Sequence, residues 1–130
     1  MNKILVDLGK LDKNIGLTFE TGQFVDYLDV RISVETPNFR TKVFRKLAAQ
    51  PYILPFNSAH PPHVMKNIPF SALLRAVRIC SHSNNLVEEI EKIRITLLLN
   101  KYPPNFIDKH FKRFFETLTG QKDSKLLLTL

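Results

Sequence analysis

Cysteine is nearly absent from this chain: Cys80 is the only one in 130 residues. No disulfide can form within the chain, which fits a reducing compartment and an intracellular location, nuclear or cytoplasmic. Long apolar runs are missing as well. None approaches the roughly 20 residues that a membrane-spanning helix needs. The N-terminal stretch MNKILVDLGKLDKN is interrupted by Asp7, Lys10 and Asp12, unlike the apolar centre of a signal peptide. The familiar catalytic signatures are missing too. There is no P-loop, no G-x-G-x-x-G, and no G-x-S-x-G elbow to present a nucleophilic serine.

What is present is basic charge. The formal net charge is +7, with hydrophobic residues at 44% and charged residues at 24%. The last two values are ordinary for a globular protein, and the length suits one domain with a modest core. The surplus of positive charge attracts polyanions, nucleic acid before anionic membrane.

Hydrophobic periodicity divides the chain. Ile4, Leu5, Leu8, Leu11 and Ile15 recur at helical spacing, and Asn14 and Gly16 suit the end of that helix. The period then falls to two. Leu17 and Phe19 alternate with Thr18 and Glu20. Leu28, Val30, Ile32 and Val34 alternate with Asp29, Arg31, Ser33 and Glu35, as in a half-buried strand with one wet face. A turn at TPNF leads into a second strand, RTKVFRK. Arg40, Lys42, Arg45 and Lys46 make this arm of the hairpin strongly basic, and pairing with Asp29 and Glu35 offsets part of the charge.

From Leu47 to Pro69 the chain carries Pro51, Pro55, Pro61, Pro62 and Pro69. Proline fixes the backbone and keeps the preceding residue extended, so this stretch reads as an ordered strap. Three helices follow. The first is expected to start near Ser71, with Leu73, Ala76, Val77 and Cys80 on one face. The second is expected to be capped by Asn85 with Glu88 completing a capping box, and to be striped by Leu86, Ile90, Ile93 and Leu97. The third begins near Pro104 and aligns Ile107, Phe111, Phe114 and Leu118. The tail QKDSKLLLTL is short and apolar. The fold expected is α+β: an N-terminal helix, an antiparallel β-hairpin, a proline-rich strap and a C-terminal three-helix bundle.

His60, His63, Cys80 and His82 supply enough ligands for a zinc reading, in which the histidines would activate water. Against it, Cys80 sits on an apolar helix face, where a free cysteine is commonly a small hydrophobe. Asp26 and Asp29 read as salt-bridge partners in the hairpin. The positive signal is basic residues interleaved with aromatics: Arg40, Lys42, Arg45 and Lys46 precede Tyr52 and Phe56, and Lys66, Arg75 and Arg78 follow. Contacts from such a band hold a phosphate backbone without reading bases. Lys109, Lys112 and Arg113 of the last helix read as a solvated face.

The blocks YLDVRIS, VFRKLAAQPYILPF, AHPPHVMKNIP, LLRAVRICS, LLLNKYPPNFI and HFKRFF occur in this order. Together they resemble the C-terminal part of reverse transcriptases of the Penelope-like retroelement type, over about residues 15 to 115. The resemblance implies that residues 1–46 correspond to the end of the palm and that 47–70 form a strap. It implies that 71–119 form a thumb-like, helix-turn-helix-like region, with 120–130 a tail. It implies a template–primer duplex of RNA or DNA as partner, together with the remainder of a polymerase. The Y-x-D-D aspartates that hold two magnesium ions in that family have no counterpart here, so any Mg2+ belongs to a palm site outside this stretch. Leu47, Ala59 and Lys101 stand where the family pattern has proline, aspartate and glycine. No cofactor and no independent polymerase activity are therefore expected. The chain is expected to be a polymerase fragment or a remnant. The alternative is a non-catalytic interaction module that associates through an exposed palm edge.

Overall fold

The structure, a computed structural model, describes residues 2–10, 14–16, 18, 20–46 and 53–120. In chain order it comprises α1 (Asn2–Gly9), β1 (Phe24–Tyr27), β2 (Val30–Glu35), β3 (Asn38–Val43), α2 (Pro62–Ile79), α3 (Ser83–Leu99) and α4 (Pro104–Gly120). The α+β arrangement read from the sequence is the one observed, with a three-stranded antiparallel sheet in the order β1-β2-β3 followed by three helices.

The N-terminal part departs from its pattern. α1 ends at Gly9, before Asn14 and Gly16, and Ile4 and Val6 are exposed. The alternation over 17–20 gives no strand at Thr18 or Glu20; Leu17 and Phe19 lie outside the described residues.

The expected hairpin has a third strand in front of it. Tyr27 pairs with Val30, so Leu28 and Asp29 form a two-residue turn instead of belonging to one long strand. Two-residue turns favour Gly or Asn because they require positive φ. Here Leu28 supplies it, at φ 55°. The second turn, Thr36–Pro37, leaves Asn38 paired with Glu35 at the start of β3.

The first two of the three helices start earlier than expected, and the third starts at Pro104 as expected. α2 begins at Pro62, not near Ser71, so the strap is shorter and Pro69 lies inside the helix, fully buried. Pro62 is tolerated because the first helical N–H has no intrahelical acceptor. α3 begins at Ser83, with His82 at the N-cap; Asn85 sits within the first turn and does not cap it.

α3 ends in a Schellman motif. The Tyr102 N–H donates to the Leu97 carbonyl at 3.1 Å and the Lys101 N–H to that of Leu98 at 3.0 Å. Lys101 occupies the left-handed position at φ 68°, where glycine is preferred. Lys101→Gly is therefore expected to stabilise the fold by about 1 kcal/mol, read as a raised urea midpoint with unchanged m.

The core lies among α2, α3 and α4. Met65, Leu73, Ala76, Ile93, Leu97, Tyr102, Ile107, Phe111 and Phe114 are buried. The strap is fastened onto the α3–α4 turn. Phe56 donates its N–H to the Asn100 carbonyl at 3.0 Å, and its ring meets those of Tyr102 and Phe106 edge-on. The Tyr102 hydroxyl donates to the Leu54 carbonyl at 2.9 Å. Burial pushes this phenol above its ordinary pKa of 10.0. The unfolded chain therefore ionises first, and stability present below about pH 10 falls as pH rises further. Tyr102→Phe is expected to remove that alkaline loss and to lower stability at neutral pH by about 1 kcal/mol, seen in denaturation curves at both pH values.

Candidate nucleic-acid interface

The sheet is stitched to the helices along its β3 edge. The Thr41 N–H donates to Ser81 Oγ at 2.9 Å, the Ser81 N–H donates to the Thr41 carbonyl at 3.1 Å, and Thr41 Oγ1 donates to the Ile79 carbonyl at 2.6 Å. The α2–α3 connection thus covers an edge that would otherwise stay unpaired.

Alternation along the strands separates two sheet faces. One carries Val25, Tyr27, Val34 and Phe39, all exposed. The other carries Asp26, Arg31, Arg40 and Lys42, and borders the first half of α3. The face expected to be wet thus borders a helix, while the apolar face is open at Val25, Tyr27, Val34 and Phe39 and half-buried at Val30, Ile32, Thr41 and Val43, where Thr41 bonds the end of α2. Arg31 holds Asp26 through two bonds at 2.6 and 2.8 Å and lies over the rings of Phe24 and Phe44. This hydrogen-bonded pairing keeps the Asp26 carboxyl below the usual carboxylate range and raises the Arg31 guanidinium.

The sequence-selected cations divide into two groups. Arg40 pairs with Glu35 at 3.0 Å and also donates to the Asn85 amide oxygen at 3.3 Å. Arg45 makes two bonds to Glu89, whose side chain is 5% exposed, one of them at 2.8 Å. Arg75 pairs with Asp29 at 2.7 Å. These three arginines join the sheet's turns and strands to each other and to the helices. Lys42, Lys46, Lys66 and Arg78 have no ion-pair partner among the described residues. Lys42, Arg45 and Lys46 share a cleft with Lys92 of α3. Arg45, Lys46 and Arg75 also border a wider apolar groove between α2 and α3. Lys66 and Arg78 stand apart from both, on the exposed side of α2, a helix with no acidic residue.

His60, His63, His82 and Cys80 are not brought together. Among the described residues no three His, Cys, Asp or Glu side chains form a set able to hold a metal. The nearest partners of His60 and His82 are the hydroxyls of Ser58 and Ser81. Burial pushes the Cys80 thiol above its ordinary pKa, which opposes the thiolate that zinc requires.

The face of α4 read from the sequence as solvated is exposed and basic. Ile107, Phe111 and Phe114 bury one side of α4, leaving Asn105, Lys109, Lys112, Arg113 and Glu116 exposed along the opposite side. Asp108 is turned aside to Arg94, at 2.5 Å. Lys112 lies 3.9 Å from Glu116, an exposed pair that holds little energy. Lys109 and Arg113 have no ion-pair partner among the described residues. The signal in the sequence was three cations within five residues, placed opposite an apolar stripe.

No helix among the described residues is long and apolar enough to cross a membrane. No curated protein and no solved structure matches the chain. Residues 52–112, slightly under half of the chain, match the family model of the animal helix-turn-helix domain; the matched stretch takes in the strap, α2, α3 and half of α4, and it fits nucleic-acid binding.

Proposed function

We propose that this chain binds nucleic-acid duplex through its helical region and acts as the thumb-like piece of a retroelement reverse transcriptase. In this reading it holds template–primer by the phosphate backbone, has no polymerase chemistry of its own, and works in the nucleus or cytoplasm beside the remainder of the polymerase. The observation that carries the reading is the exposed face of α4. It presents Lys109, Lys112 and Arg113 on a helix anchored by Ile107, Phe111 and Phe114, and the first half of that helix, as far as Lys112, belongs to the stretch that matches a helix-turn-helix family. A rigid helix that points cations outward positions a duplex by its phosphates. Lys66 and Arg78 on α2 extend the same chemistry. Fluorescence anisotropy with RNA–DNA and DNA duplexes tests this. Binding that weakens steeply between low and moderate salt is expected; a folded protein that binds neither duplex at low salt contradicts it.

A second reading draws on the sheet. Val25, Tyr27, Val34 and Phe39 leave an apolar face open, as expected of a surface that packs against the rest of a palm. In this reading the chain is an interaction module.

A further inference from the structure

α2 contains no acidic residue, and one apolar side chain interrupts its solvent side. Phe70 is 43% exposed, the only large hydrophobic residue of α2 left so open. Its ring is not loose. It meets the buried ring of Phe114 edge-on, with centroids 5.3 Å apart and planes at 76°. This contact ties α2 to α4 and fixes the Phe70 ring at the seam between the two helices.

Single exposed apolar residues are common, so exposure alone says little. What sets Phe70 apart is its charged neighbours. Lys66 lies one helical turn before it, on the same side of α2. Arg113 directly precedes Phe114 on α4. α4 turns Asp108 and the Phe111 ring toward Arg94 of α3, and Phe114 toward Phe70. Successive helical residues point about 100° apart, so Arg113 stands on the side of Phe114 away from α3. Neither Lys66 nor Arg113 has an ion-pair partner among the described residues. The acids of α4 do not offset them, because Asp108 pairs with Arg94 and Glu116 with Lys112. The seam therefore offers a fixed aromatic ring among cations from two helices. A chain of alternating anionic and apolar units complements it, and a nucleic-acid backbone is such a chain: phosphates separated by sugars.

We infer that Phe70 packs on a backbone sugar of the bound duplex, while Lys66 and Arg113 take phosphates beside that sugar. The inference rests on the duplex-binding reading and extends the contact surface from α4 onto α2. Every nucleotide carries the sugar, so this contact adds affinity without reading sequence.

The test combines two measurements on the full chain. In the first, binding to blunt duplexes of unrelated sequence is followed by fluorescence anisotropy across salt. Phe70→Ala is expected to weaken binding about 10-fold at every salt concentration and to leave the slope of log K against log salt unchanged, because an apolar contact releases no counterion. Lys66→Ala/Arg113→Ala is expected to make that slope shallower by about 2. Unaltered affinity of the Phe70→Ala protein, with duplex still bound, overturns the contact and leaves the duplex-binding reading standing. An unchanged slope in the double variant overturns the two phosphate contacts. The second measurement uses the unaltered chain, so it does not depend on how a variant folds. Nuclear Overhauser effects are sought between the Phe70 ring protons and the duplex. Effects to sugar protons support the assignment. Effects to base protons alone, or none from Phe70 in a complex that forms, overturn it. If the unaltered protein binds no duplex at low salt, the wider reading falls and this contact falls with it.

Discussion

Replacing Lys109, Lys112 and Arg113 together with alanine is expected to weaken duplex binding at least about 100-fold near 50 mM salt, and to make the salt slope shallower by about 3. Each lysine or arginine that neutralises a phosphate releases a counterion, so losing three contacts has its greatest effect at low salt. The change leaves the fold intact. All three residues are exposed, and alanine has the highest helix propensity. The one ion pair removed, Lys112 with Glu116, is exposed and worth little. An unchanged thermal midpoint beside lost binding separates the interface from folding. The same substitutions with no loss of affinity would return α4 to the solvated face it resembled in the sequence.

The largest loss of stability is expected at Arg45→Ala. Glu89 is the one buried charged residue among those described, and Arg45 holds it with two hydrogen bonds. Removing the guanidinium strands a carboxylate 4% exposed on the inner side of α3. Breaking such a pair from one side costs about 3 kcal/mol, at the low end of its range because Arg45 itself is 43% exposed. Arg45→Met combined with Glu89→Leu is expected to recover most of that loss, since replacing both partners removes the desolvation penalty. Urea denaturation of the single and double variants measures the difference. A single variant as stable as the unaltered chain would mean that the pair does not join the segment after β3 to α3.

These two sites differ in how legible they were. The stripe of Ile107, Phe111 and Phe114 follows from helical spacing alone, and so does the face opposite it. Arg45 read as a free cation because its partner lies 44 residues away. Local spacing carries no signal for such a pair, nor for Arg75 with Asp29. Strand β1 escaped because its turn uses Leu28 and Asp29, without the glycine or asparagine that marks a tight hairpin. The first turns of α2 escaped because Pro61, Pro62 and Pro69 read as a strap. One of those prolines sits where no N–H is needed, and another is absorbed into the buried side of the helix. The sheet's faces were separated correctly by alternation, but which face met a helix depended on contacts between β3 and the α2–α3 connection. Ser81 and Thr41 make those contacts through backbone groups and hydroxyls 40 residues apart, a pairing that the sequence does not reveal.

The central claim is that the exposed face of α4 meets a nucleic-acid duplex. Titrating ¹⁵N-labelled full-length protein with a short DNA or RNA–DNA duplex at low salt tests it most directly. The account predicts that the amides of Asn105, Lys109, Lys112 and Arg113 shift together and saturate, and that the shifts reverse when salt is raised. Shifts confined to the apolar sheet face around Val34 and Phe39, or no shifts at all from a folded protein, would contradict it.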